Sequence, residues 1–300
     1  MSGIPRIIPR HLGKDQKPFK SNEPEFWAEN SQTVTDFIHS MSALFPEGEA
    51  FFVRAVRRFA DDSRLKQNDK LCTEVKAFIA QEAQHAAEHS SYNKKIQGKH
   101  NHDMDGVNFM LQKIFYVIEH SPLIPNKAYG CLGITCSLEH LTASLAEILL
   151  TTPEGRYLID SIAPSHRALW VWHAIEETEH KAVAYDVYCE VGGWYLARVY
   201  RHLLTTVIFI AVVVYLNVKF MLDHKNGITL SGVRDLFRFL FIYPGFFTMF
   251  IPMWFDYMRP GFHPWSDLKE REKMREAIRY WSTELNLRPA ASKSGDLKTK

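Results

Sequence analysis

Two copies of a Glu-x-x-His motif constrain the fold of this chain more than any other feature of its sequence. One copy runs from Glu82 to His85, and the other runs from Glu177 to His180. Residues three apart on a helix project from the same face, so each motif can hold one metal ion with a carboxylate and an imidazole. The sequence therefore predicts two helices that each carry a pair of metal-binding side chains.

The residues around both motifs indicate that these helix faces point into the protein core. Val75 and Phe78 share a face with the first motif, and Leu169 and His173 share a face with Glu177. A buried charge is costly unless it is paired or bound to a metal ion. The pattern therefore favours metal binding, and His173 is a candidate for a third imidazole ligand.

Hydrophobic periodicity, with proline and glycine as breaks, divides the first part of the chain into helices. We expect helices over residues 49–58, 70–95, 107–119, 127–150 and 165–191. The helix over 107–119 is a crossover between two antiparallel pairs, which is the layout of a ferritin-like bundle. The predicted fold class is all-α, with a ferritin-like four-helix bundle followed by a C-terminal hydrophobic helical pair.

Two further glutamates lie at matching depths in this bundle. Glu49 and Glu82 each lie about twelve residues from the turn expected near residues 61–70. The distance along the chain from Glu139 to the end of the third bundle helix is about equal to the distance from the start of the fourth helix to Glu177. Antiparallel packing would bring the four carboxylates to one level, which gives the ligand pattern of di-iron carboxylate bundles.

The types of donor narrow the choice of metal and chemistry. Imidazole together with carboxylate suits iron, manganese and zinc, and bridging carboxylates hold two ions about 3.5–4 Å apart. Because several anionic glutamates favour oxidised iron, the predicted cofactor is two iron ions, with manganese and zinc as alternatives. The predicted activity is that of an oxygen-activating oxidase or oxygenase. A hydrolase that uses a metal-bound hydroxide and a non-catalytic iron-binding protein remain alternatives.

Five segments carry a resemblance to a known family: FPEGEAFF at 45–52, QEAQH at 81–85, LEH at 138–140, WHAIEETEHK at 172–181 and PGFHPW at 260–265. Together they resemble the ferritin-like family of predicted metal-dependent hydrolases, over most of residues 40–270. The resemblance implies an enzyme that depends on a metal.

The spacing of His173, Glu177 and His180 is also similar to that of the di-iron N-oxygenases with an additional histidine, which oxidise aryl amines. These resemblances imply seven metal ligands: Glu49, Glu82, His85, Glu139, His173, Glu177 and His180. Glu47 remains the alternative to Glu49, and Glu147 remains the alternative to Glu139. The sequence identifies no catalytic residue beyond these ligands.

Two apolar stretches follow the bundle. Residues 203–222 form a run long enough to cross the hydrocarbon core of a membrane, whereas residues 239–255 are shorter and contain two prolines. We expect a membrane hairpin or a re-entrant anchor. Basic residues flank its outer ends and place the metal domain in the cytoplasm. The alternatives are packing on the bundle or a dimer interface, in a soluble cytoplasmic protein.

The organisation of the chain follows from these features. We expect four segments: an irregular N-terminal segment over 1–30, a ferritin-like metal-binding bundle over 31–195, a hydrophobic helical hairpin over 196–260, and a C-terminal amphipathic helix and tail over 261–300. The four cysteines form no paired motif, which favours a reducing compartment.

The expected partners follow from charge and chemistry. Because 36 basic residues nearly balance 34 acidic residues, no nucleic-acid partner is expected. A small-molecule substrate is expected, lipidic if the hairpin lies in a membrane. An oxidase would also need an electron-donor protein. A homo-oligomer is also compatible with the sequence. The sequence does not identify the substrate.

Overall fold

The computed structural model describes residues 6–13, 24–122, 124 and 126–289, and this part of the chain is all-α, as predicted. A short antiparallel pair, β1 (Arg10–His11) with β2 (Arg288–Pro289), joins its two ends. Parts of the expected N-terminal segment, of the link near residues 121–126 and of the C-terminal tail lie outside the described residues. The four cysteines are free thiols.

The helices follow one another along the chain with short connections. Their bounds are α1 (Gln32–Arg57), α2 (Ser63–Lys66), α3 (Asp69–His100), α4 (Met104–His120), α5 (Lys127–Thr151), α6 (Pro153–Ser161), α7 (Pro164–His180), α8 (Val183–Glu190), α9 (Tyr195–Asp223), α10 (Leu230–Phe237), α11 (Phe246–Tyr257) and α12 (Leu268–Glu284). A π-helical segment, Arg238–Ile242, connects α10 to α11. The predicted second, crossover and third helices correspond to α3, α4 and α5.

The first helix is longer than the sequence predicted. The expectation of a helix that begins after Pro46 and Gly48 was wrong, because α1 begins at Gln32 and continues through Pro46. A proline inside a helix costs about 3 kcal/mol, through a lost hydrogen bond and a steric clash. The additional turns bury Val34 and Ile38 in the core. Burial of two such side chains contributes roughly 3 kcal/mol or more, which offsets that cost.

The predicted fourth helix consists of two helices. The expectation of one continuous helix over 165–191 was wrong, because α7 ends at His180 and α8 begins at Val183. Lys181 lies in the break, and its ammonium group contacts the carboxylates of Glu147 on α5 and Glu270 on α12. These ion pairs stabilise the break between α7 and α8. Hydrophobic periodicity cannot predict them, because the acidic partners lie on other helices.

Helix α1 lies antiparallel to α3. Ser42 of α1 bonds to His89 of α3, whereas Glu49, further along α1, lies beside His85, which comes earlier in α3. The direction of the two helices is therefore opposite, and α1 brings its only deeply buried glutamate to the level of the first Glu-x-x-His motif.

Helix α5 lies antiparallel to α7 in the same way. Thr142 of α5 contacts Glu177 of α7, whereas Glu139, earlier in α5, contacts His180, later in α7. We call α1, α3, α5 and α7 the site helices, because their facing sides hold all the predicted ligands. The finer expectation of a ferritin-like bundle stays a prediction.

Helix α9 packs one side against α1 and α5 and exposes its other side. Among the described helices it is the one long and apolar enough to cross a membrane, with 29 residues and a mean hydropathy of 2.2 over its most apolar stretch. The segments Leu230–Ile242 and Phe246–Tyr257 form an apolar pair bent by 45°. On the outer side of α9, Leu204, Val207 and Val214 are about half exposed or more.

Candidate metal centre

The seven predicted ligand side chains lie together between the site helices. Donor atoms within 4.8 Å of one another form two groups of four: Glu49, His85, His173 and Glu177, and then Glu82, His85, Glu177 and His180. The two groups share His85 and Glu177. Overlapping groups of this kind suit a two-metal site, because a bridging ligand belongs to both ions.

Glu177 lies between the two groups. Its Oε1 atom is 2.9 Å from His173 Nε2, and its Oε2 atom is 4.0 Å from His180 Nε2. The hydroxyl group of Thr142 donates a hydrogen bond to the same Oε2 atom at 3.3 Å. Each carboxylate oxygen therefore faces one group, which is the arrangement of a bridging ligand.

His180 lies between Glu82 and Glu139. Its Nε2 atom is 2.9 Å from Glu82 Oε1, and its Nδ1 atom is 3.2 Å from Glu139 Oε2. Burial alone would lower the pKa of His180, but attraction to Glu82 and Glu139 raises it well above its usual value. The imidazole is therefore held between two carboxylates, where a shared cation could bind all three side chains.

Side chains behind the predicted ligands orient their imidazole rings. Glu176 Oε2 lies 3.1 Å from His85 Nε2, so the other ring nitrogen of His85 faces the centre. His89 Nε2 lies 2.7 Å from His173 Nδ1, and Ser42 Oγ lies 2.9 Å from His89 Nδ1. Partners of this kind select the tautomer and the direction of a metal-binding histidine.

The N-terminal strand completes this outer layer. The backbone N–H of Arg10 donates to Glu176 Oε1, and its guanidinium group pairs with Glu179 at 2.7 Å. All three residues are buried. Sequence reasoning missed Arg10, because its partners lie more than 160 residues away and no local pattern marks the contact.

Several donor atoms at the centre make no well-aligned hydrogen bond within the described part of the chain. They are both oxygens of Glu49 and Glu82, Oε1 of Glu139, Nδ1 of His85 and Nε2 of His180. The five residues that carry them are almost completely buried. An unpaired buried carboxylate is strongly unfavourable, and two divalent cations would neutralise this set. The residues present therefore fit a two-metal centre.

The electrostatics of the centre also favour bound cations. Burial, with repulsion from neighbouring carboxylates, raises the pKa of Glu49 well above its usual value. Burial raises the pKa of Glu82 to about 7, and burial with repulsion from Glu82 raises the pKa of Glu139. Ionised carboxylates this close together require positive charge, which metal ions supply.

The alternative ligands lie elsewhere in the structure. Glu47 accepts a hydrogen bond from Gln112 of α4 at 3.0 Å, and Glu147 contacts Lys181 at 3.1 Å. Glu49 belongs to one of the two metal-binding groups, whereas Glu139 belongs to neither and is placed at the centre by its 3.2 Å contact with His180. The geometry therefore favours Glu49 over Glu47 and, through this contact, Glu139 over Glu147, and the assignment of all seven residues as ligands stays a prediction.

A comparison with protein-family models matches residues 13–267 to the family described as predicted metal-dependent hydrolase. The chain belongs to this family. The matched region contains the seven predicted ligands, and its buried histidine and glutamate groups agree with metal dependence. Comparisons with curated proteins and with solved structures found no match. The similarity to the N-oxygenases is not tested by the family match and stays a prediction.

This member of the predicted metal-dependent hydrolase family has an apolar chamber of about 410 Å³ beside the centre. Thr142, His173 and Glu177 form part of its wall, and nearly all other lining residues are aliphatic or aromatic. The lining residues Ile210 and Val214 of α9 are exposed to solvent. The chamber thus extends from the candidate metal centre to the outer surface at α9.

Proposed function

We propose that this chain is a two-metal enzyme whose ions are held by Glu49, Glu82, His85, Glu139, His173, Glu177 and His180. The observation that carries the proposal is the convergence of buried carboxylates and imidazoles from four helices, several of whose donor atoms make no well-aligned hydrogen bond among the described residues. Two iron ions remain our first expectation, and manganese and zinc remain alternatives, because carboxylate and imidazole suit all three.

Hydrolysis is the reaction that the family description favours. When bound, two divalent ions supply an activated water and polarise the bond to be cleaved. The protein's own contribution is to hold the carboxylates in place and to exclude bulk water. Thr142 lies at the boundary between the chamber and Glu177, so its hydroxyl group is placed to orient a polar group of the substrate.

The chamber indicates the class of substrate. Its volume of about 410 Å³ is within the range of small-molecule sites, and its wall is almost entirely apolar. A sugar, a peptide or a phosphate ester would leave its polar groups without hydrogen bonds there. We therefore infer a substrate with a long acyl or alkyl chain, whose ester or amide group reaches Thr142 and the centre.

Oxygen-dependent oxidation is the second candidate, and the donor set favours it. Single glutamates from α1 and α5, together with Glu-x-x-His from α3 and α7, make up the ligand pattern of di-iron carboxylate proteins. An apolar chamber also suits a substrate that is attacked at an alkyl chain. This reaction would need electrons from a donor protein.

One set of measurements separates these functions. Protein purified without added metal would be analysed for its metal content and assayed with p-nitrophenyl esters of increasing acyl length. Oxygen consumption would be measured with and without prior reduction by dithionite. Ester cleavage that increases with acyl length and needs no reductant supports hydrolysis. Bound iron with oxygen uptake only after reduction supports oxidation, and tight metal binding without either activity supports the non-catalytic alternative.

Two variants connect the activity to the centre. Glu82→Gln removes a buried donor, whereas Glu47→Gln changes a glutamate that bonds to Gln112 outside the centre. We expect Glu82→Gln to lose both metal and activity and Glu47→Gln to retain both. Equal metal content in the wild type and both variants would contradict the two-metal proposal.

We also propose that the exposed side of α9 and the bent pair lie on a membrane. An exposed apolar surface larger than a few hundred Å² is unusual for a soluble monomer. Because the other side of α9 packs on α1 and α5, α9 and the bent pair can contact lipid while the site helices remain outside the membrane. The metal centre would then face the cytoplasm and receive a lipidic substrate through the chamber.

A further inference from the structure

A second cluster of histidines and acids lies at the other end of α1. Asp36 is in the first turns of α1, His102 is between α3 and α4, and His224 follows the last residue of α9. Asp36 lies 13 residues before Glu49, or about 20 Å along the helix axis. The cluster is therefore separate from the centre described above.

Two imidazole nitrogens of this cluster converge on one carboxylate oxygen. His102 Nε2 lies 3.3 Å and His224 Nε2 lies 3.0 Å from Asp36 Oδ1. The second oxygen, Oδ2, has no hydrogen-bond partner in the described part of the chain. One carboxylate oxygen can accept both hydrogen bonds, but this leaves the buried Oδ2 atom without a partner, which is unfavourable. Donor atoms of all three residues lie within 4.8 Å of one another, which is close enough to bind one ion.

The surroundings of the cluster resemble those of a metal site. Asp223 Oδ2 lies 3.0 Å from His102 Nδ1, so it can hold this proton and leave the Nε2 lone pair directed at Asp36. His100 lies next to the cluster, its ring centroid 5.8 Å from that of His102. Neither ring nitrogen of His100 has a partner within the residues described, although the side chain is almost fully buried. His100 is thus a buried imidazole beside the cluster, outside the group of donor atoms that lie within 4.8 Å of one another.

We propose that Asp36, His102 and His224 bind one divalent transition-metal ion, with zinc as the best-suited ion. Two imidazoles and a carboxylate, with water in the fourth position, are a common ligand set for zinc. Its three ligands come from α1, from the α3–α4 connection and from the end of α9. The ion would therefore fasten the end of the hydrophobic helix α9 to the site helices, as a structural clamp.

The test is the metal content of the full chain. Elemental analysis of the desalted wild type should find about three ions per chain, two at the first centre and one at the clamp. Asp36→Asn and His224→Gln should each lose about one ion and should unfold at a lower temperature. The control His120→Gln changes an exposed histidine of α4 and should retain all three ions. Glu82→Gln/His180→Gln should retain the clamp ion, which separates the two sites.

A titration of the wild type tests the proposal without any change in the cluster. Chelator-treated protein would be titrated with Co²⁺, whose visible absorption reports coordination by protein ligands. Saturation near three equivalents is the expected result. Saturation at two equivalents, or equal metal content in the wild type, Asp36→Asn and His224→Gln, would overturn the proposal and leave a hydrogen-bonded cluster.

Discussion

Arg10 and Glu179 form a buried ion pair although 169 residues separate them in the chain. The guanidinium group donates through Nη1 to Oε2 at 2.8 Å and through Nη2 to Oε1 at 2.7 Å. The backbone N–H of Arg10 also donates to Glu176, which contacts His85 behind the candidate metal centre. The N-terminal strand therefore helps to hold an imidazole of the centre in place.

Replacement of Arg10 by alanine should destabilise the protein and weaken metal binding. The change leaves the carboxylate of Glu179 buried without its partner, which costs about 3–5 kcal/mol. Alanine keeps the backbone N–H that bonds to Glu176, but loss of the ion pair releases the strand that carries it. We therefore expect metal affinity to fall by up to about 10–100-fold. Chemical denaturation and competition with a chelator would measure the two effects. Arg6→Ala, at an exposed position, is the control and should behave like the wild type.

The pair Glu49 and Glu47 provides a direct test of ligand assignment. Glu49→Gln keeps the size of the side chain but removes a buried charge from the centre, so we expect loss of at least about one ion per chain. Glu47→Gln should retain the wild-type metal content. The reverse result, measured by elemental analysis, would show that α1 presents the other glutamate to the metal.

The contribution of Glu82 to the stability of metal-free protein should fall as pH rises. Burial raises the folded-state pKa of Glu82 from 4.5 to about 7, and those of Glu49 and Glu139 also rise. A raised pKa contributes stability that is fully present below the unfolded-state value and is lost as pH rises through the folded-state value. For Glu82 this window is pH 4.5 to about 7, with a loss on the order of 3 kcal/mol.

Thermal unfolding of chelator-treated protein across this pH range would measure the effect. Glu82→Gln removes this titrating group, so the stability of the variant relative to the wild type should increase across this pH window. Added divalent metal should reverse the trend, since cations bind the ionised carboxylates. A stability difference between the metal-free wild type and Glu82→Gln that stays constant between about pH 5 and pH 7 would contradict this account of Glu82.

The chamber should control which substrates are accepted. Leu145 lines the chamber and is only partly buried, so Leu145→Trp adds volume where an apolar chain would bind. We expect kcat/KM for long-chain esters to fall by about 10-fold or more, with the metal content unchanged. Leu268→Trp, at an exposed position of α12, is the control. An equal loss for short and long chains would indicate that the chamber does not bind the substrate.

A charge on the outer side of α9 should weaken membrane binding. Val207 is 67% exposed, so Val207→Asp should leave the fold intact while placing a carboxylate where lipid is expected. Co-sedimentation with phosphatidylcholine–phosphatidylglycerol vesicles should decrease by about 10-fold or more. Val207→Leu keeps the surface apolar and should bind as the wild type does. If the wild type does not bind vesicles and forms a dimer that Val207→Asp disrupts, a second copy of the chain covers the outer side of α9.

Much of the helical framework and the composition of the centre could be predicted from the sequence. The 3.6-residue period of hydrophobic residues locates α3, α4 and α5. The three-residue spacing within each Glu-x-x-His motif places both side chains on one helix face. Equal distances from the turns also place Glu49 beside Glu82. These are relations within one helix or between neighbouring helices, and the regular geometry of a helix is enough to establish them.

Other features depend on contacts that no local pattern encodes. Helix α1 passes through Pro46 because its earlier turns are buried, and the chain bends at Lys181 where acids of two other helices meet it. The contacts of Asp36 with His102 and His224 span 66 and 188 residues. Residue spacing along one helix cannot predict these contacts between distant residues. They depend on how complete helices pack and on the free-energy cost of leaving buried charges unpaired.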